Sequence, residues 1–110
     1  DLIGELNISD CEDMVFLDLY HNRITSIKSK NLPSMRIFGV QDNLLETIDT
    51  TEMPKCQGID AGMNKLKEID VSKNKELVEL YINDNDFTEI DLSNNKKLKY
   101  FNGKVSSTGY

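Results

Sequence analysis

The stretch Leu77–Lys97 reads LVELYINDNDFTEIDLSNNKK. Its apolar residues fall at Leu77, Leu80 and Ile82 and again at Phe87, Ile90 and Leu92, so both halves follow the spacing LxxLxL, with Asn85 between them. Leu80 and Ile82 alternate with their neighbours at period 2, the pattern of a short strand with one buried face. The residues between the apolar places are rich in Asn, Asp, Ser, Thr and Lys, which favour turns over helix interiors. A thin coil of short extended segments is therefore expected, with few or no helices.

Steps of 21 residues in both directions return the same template. The first column is Met14, Met35, Cys56, Leu77 and Leu98, the fourth Leu17, Phe38, Ile59, Leu80 and Phe101, and the sixth Leu19, Val40, Ala61, Ile82 and Gly103. Column eleven holds Ile3, Ile24, Leu45, Leu66 and Phe87, and column fourteen Leu6, Ile27, Ile48, Ile69 and Ile90. Column sixteen is weaker, with Ile8, Ser29, Thr50, Val71 and Leu92. Across these six columns 27 of 30 places are apolar, whereas a 38% hydrophobic chain predicts about 11 by chance. Column nine carries Asn22, Asn43, Asn64 and Asn85, with Asp1 and Ser106 at the two ends. Where the chain turns out of a strand, a short amide can satisfy buried backbone groups that an apolar residue cannot.

An unslipped period of this kind is the mark of a repeat solenoid. One domain over 1–110 is expected, with a partial repeat at 1–13, repeats at 14–34, 35–55, 56–76 and 77–97, and a partial or frayed unit at 98–110. Both halves of the unit contribute an apolar pair spaced by one residue, as in Ile69 and Val71 or Ile90 and Leu92, so a second extended segment per coil is expected. The unit resembles the short nested type of bacterial leucine-rich repeat, LxxLxLxxNxLxxLxLxxNxx. That resemblance implies a right-handed, mainly β coil with parallel strands, a bacterial origin and an extracellular or cell-surface location.

Composition narrows the activity. With 110 residues, the chain is long enough for a core without metals or disulfides. Thirteen Lys and Arg against 19 Asp and Glu give a net charge of −6, which opposes sequence-independent binding of nucleic acid. No apolar run approaches the roughly 20 residues of a membrane-spanning helix, and membrane insertion is not expected. Because the chain opens on Asp1, it is expected to be either cut from a longer precursor or trimmed.

Catalytic and metal chemistry find little footing. Cys11 and Cys56 lie a little over two coils apart, which should hold their Cα atoms about 10 Å or more apart, beyond the reach of a disulfide. Both read as free thiols acting as small hydrophobes. His21 is the only histidine, so neither a His-based metal site nor a triad can be assembled in the usual way. In column fifteen Asp49, Asp70 and Asp91 stack at about 4.8 Å per coil. They suit hydrogen bonding to Ser72, Ser93 and turn amides better than calcium. No cofactor, metal or catalytic residue is assigned.

The outward places of the first strand differ from coil to coil, as a recognition surface requires. Phe16, Asp18, Tyr20, His21, Ile37, Asp60, Glu79, Tyr81, Asn83, Tyr100 and Asn102 form the candidate binding face, and Asn22, Asn43, Asn64 and Asn85 the structural ladder behind it. Phe16, Tyr20, Tyr81 and Tyr100 are half of the eight Phe and Tyr residues. A rigid sheet bearing non-equivalent side chains suits binding better than enclosing a substrate. The expected function is non-enzymatic recognition of a protein or peptide. A spacer or self-assembly segment, associating end to end, is the alternative.

Overall fold

Alternation at template places three to five decides which side chains a strand can bury, and every coil uses it. In the computed structural model, which describes residues 1–104, the chain makes about five turns of a parallel β-solenoid at a 21-residue spacing, with no helix among the described residues. The strands are β1 (Ile3–Asn7), β2 (Phe16–Asp18), β3 (Arg23–Lys28), β4 (Ile37–Gly39), β5 (Gly58–Asp60), β6 (Glu79–Tyr81) and β7 (Tyr100–Asn102). One parallel sheet has the order β2-β4-β5-β6-β7, and β1 pairs with β3 in a second. Val105, Ser106 and the rest of the expected terminal unit beyond Lys104 lie outside the described residues.

Register in the main sheet places Leu17, Phe38, Ile59, Leu80 and Phe101 side by side. Phe38, Ile59 and Leu80 are fully enclosed, each contributing about 1.5–3 kcal/mol of apolar burial. A one-residue slip would turn this row to solvent, which is why the register is strict. At the ends of the stack the same columns open: Ile3 is 71% exposed and Phe101 42%. Both were expected inside, but an end coil has a neighbour on one side only.

The second extended segment is a correction. Regular pairing on that side stops after β1 and β3, and later coils are joined there by single backbone bonds such as Lys65 N–H to Leu45 O and Asp86 N–H to Leu66 O. At the places of Thr25 and Ser26 in β3 the later coils carry Glu46 and Thr47, Lys67 and Glu68, and Thr88 and Glu89, so each has at least one residue of a type depleted from strands. Even the β1–β3 pair shifts register between Gly4 and Glu5, where Gly4 takes a φ of 87° that only glycine adopts readily.

Two polar ladders run through the stack. Asn43, Asn64 and Asn85 each donate from Nδ2 to carbonyls of their own turn and to the sixth-column carbonyl of the preceding coil, while Oδ1 accepts from that coil's column-eleven amide. Asn22 donates to Leu19 O and Tyr20 O and accepts from Leu2. Column eight, just before each of these asparagines, is left-handed throughout, with φ of 61° at His21, 59° at Asp42, 54° at Met63 and 57° at Asp84. The second ladder joins columns sixteen and nineteen. Ser29 donates to Asp49 O, Thr50 to Asp70 O and Asn74 Oδ1, Asn74 to Thr50 O and Met53 O, and Asn95 to Val71 O and Asn74 O. Column sixteen is thus weak as an apolar column because part of it is a hydrogen-bonding column.

Candidate functional site

Three rows of outward side chains cross the main sheet. Register aligns Phe16, Ile37, Gly58, Glu79 and Tyr100 in one row and Asp18, Gly39, Asp60, Tyr81 and Asn102 in the next. The third, at column seven, is Tyr20, Gln41, Gly62, Asn83 and Lys104. Each row contains one glycine, and the side chains missing at Gly39 and Gly58 leave a depression of about 200 Å³. Gly39, Gly58, Leu17 and Ile59 line it; Phe16, Ile37 and Tyr81 add large apolar side chains, and Asp18, Gln41, Asp60 and Glu79 bring polar groups. Side chains could not be restored without filling it. A Cβ on Gly39 would lie 3.2 Å from Gln41 Oε1, and one on Gly58 3.1 Å from Ile37 Cδ1.

Of the candidate face, Phe16, Asp18, Ile37, Asp60, Glu79 and Tyr81 converge on the depression. Tyr20, His21, Asn83, Tyr100 and Asn102 lie outside its lining. His21 pairs with Asp42 across one coil, and its ring stands 5.8 Å from that of Tyr20. Asn83 donates to Asp84 and occupies the space that Gly62 leaves open, where a Cβ would lie 2.6 Å from its Oδ1. Gly39, Gln41 and Gly58 belong to the site but not to the candidate set; glycines at successive outward places are the signal that marks them.

The electrostatics of the depression are one-sided. Asp18 and Asp60 each use Oδ1 to accept an amide two residues on, from Tyr20 at 3.1 Å and Gly62 at 3.3 Å. Burial pushes the Asp60 carboxyl above its usual value; the Gly62 amide opposes this and the charge of Asp18 adds to it. The Tyr81 phenol is raised too, by loss of water first and then by Glu79 and Asp60. Gln41 Oε1 is buried without a hydrogen-bond partner among the described residues.

The remaining candidate groups are occupied structurally. Asp49, Asp70 and Asp91 each accept the amide two residues on, from Thr51, Ser72 and Ser93 at 2.9 Å. Burial acts to raise Asp49, but hydrogen bonds from Lys30 and Thr51 and the Lys30 charge hold it at about 2. Cys11 is partly buried and Cys56 fully buried, and both are free thiols. Burial lifts Cys56 to about 11 against the opposing Gly58 and Phe38 backbone, so its thiol is protonated and unreactive at neutral pH.

No protein-family model matches the chain. No curated protein matches it either.

Proposed function

We propose that this solenoid is a non-enzymatic recognition module of the leucine-rich-repeat kind, binding a protein or peptide on its main sheet. The observation that carries the reading is the glycine-lined depression, set among large exposed side chains such as Phe16 at 62% and Tyr100 at 55%. An anchor side chain of a partner can enter such a depression while the surrounding rings exclude water. The resemblance of the repeat supports a bacterial surface or secreted setting as part of the same proposal.

Affinity capture from the native setting tests it, using the intact chain and a Tyr20→Ala, Tyr81→Ala, Tyr100→Ala variant. The variant should lose about 1–2 kcal/mol of binding per well-buried ring with its melting temperature nearly unchanged. Equal capture by both chains would move the site off this face.

A further inference from the structure

We propose that the depression between β2, β4, β5 and β6 is a subsite for an arginine side chain of the partner polypeptide. The inference rests on the recognition reading above and names the chemistry of its anchor. Charge placement carries it first. Elsewhere four acids pair with lysines across coils, Glu5 with Lys28, Asp49 and Glu52 with Lys30, and Glu76 with Lys97. Among the described residues Asp18, Asp60 and Glu79 have no such cation, and all three border one small depression. Of the 13 Lys and Arg residues, Lys104 alone falls in the three outward rows, at the far end from Phe16. An anion would find no cation in the lining.

Hydrogen bonding carries it second, and independently. Among the described residues no donor reaches the buried Gln41 Oε1 in the lining, or the second carboxylate oxygen of Asp18 and of Asp60. The site therefore offers several acceptors at once and asks for a group that only donates. A guanidinium is that group: five N–H donors in a plane, no acceptor, and a charge lost at no ordinary pH. Its weak hydration and flat faces suit the apolar walls of Phe16, Ile37 and Tyr81, where aromatic rings attract cations. The ammonium of lysine is more strongly hydrated and has three donors on one point, so it matches the spread of acceptors less well.

The test has two arms on the intact chain. In the first, Nα-acetyl-arginine amide is titrated into isotope-labelled protein and amide shifts are followed by NMR. Shifts should centre on Gly39, Gln41, Gly58 and Asp60, and the citrulline analogue, equal in shape but uncharged, should bind at least tenfold more weakly. Asp60→Asn keeps the oxygen that accepts from Gly62 and should weaken binding about tenfold or more. Gly58→Val, which fills the depression without changing charge, should do the same. Equal binding of citrulline, or shifts centred on Glu76 or Asp49 instead, overturns the subsite. In the second arm a phage-displayed random-peptide library is panned on the wild type and on the Tyr20→Ala, Tyr100→Ala variant. Peptides that need the tyrosines and share one arginine, lost with Asp60→Asn, support the proposal. Peptides that need the tyrosines but share no arginine overturn the subsite and leave the recognition face standing. Arginine shifts without any face-dependent peptide overturn the recognition reading itself.

Discussion

Met63 holds a φ of 54° at a place where the other coils use His21, Asp42 and Asp84. Histidine and aspartate are enriched in the left-handed region because a polar side chain can bond the local backbone there; methionine has no such compensation. The residue is 41% exposed, so little packing would be lost on replacement. Met63→Asn should therefore raise stability by about 0.5–1 kcal/mol in urea unfolding. Met63→Val, β-branched at the same φ, should lower it. An unchanged midpoint for Met63→Asn would show that the turn carries no strain.

At the scale of the element, the two polar ladders differ in how completely they close. The column-nine ladder repeats one set of bonds at Asn43, Asn64 and Asn85. The ladder of columns sixteen and nineteen breaks at its last rung. Thr50 donates its hydroxyl to Asn74 Oδ1 at 3.0 Å, but the matching place one coil on is Val71, and Asn95 Oδ1 is left buried without a partner among the described residues. Val71→Thr supplies the missing donor at nearly the same volume. Adding a hydroxyl to a core usually destabilises, yet here it should stabilise by up to about 1 kcal/mol, since the acceptor is already desolvated. Val71→Ala, which removes methyl groups and adds no donor, should cost about 1–2 kcal/mol. Thermal melts of the pair decide it; equal losses would mean that the Asn95 oxygen is satisfied in another way.

For the molecule as a whole, acid stability is a contest between carboxylates of opposite behaviour. Asp49 is held at about 2, and Asp70 and Asp91 lie below their ordinary value chiefly through hydrogen bonds from Ser72 and Ser93. A carboxyl lowered by folding contributes stability that is complete above its unfolded value and is lost as pH falls through its folded one. Asp60, raised first by burial, works the other way, and its protonation favours the folded state. Three groups outweigh one, so the urea midpoint should hold down to about pH 5 and fall between about pH 4 and pH 2. Lys30→Met should make that fall shallower, because Asp49 loses the partner that lowers it. A midpoint that rises on acidification would show that Asp60 dominates.

What the sequence by itself determined is whatever repeats: the 21-residue period, the inward columns of the first strand, the parallel stacking and the asparagine at each turn. These are legible because every coil meets a near copy of itself, so one local pattern stands for the whole core. Tertiary structure alone decided what depends on the difference between neighbouring coils. Ser29 and Thr50 look like lapses in an apolar column until Asp49, Asp70 and Asn74 are seen 20 to 24 residues on, accepting their hydroxyls or bonding back. Strand pairing on the second side ends after β3 because it needs consecutive bonds, and a matching apolar column does not guarantee them. Outward residues read one at a time look equivalent. Asp18, Gln41, Asp60 and Glu79 surround one depression because Gly39 and Gly58 have no side chains to separate them, and an absent side chain acquires meaning only from what stands beside it.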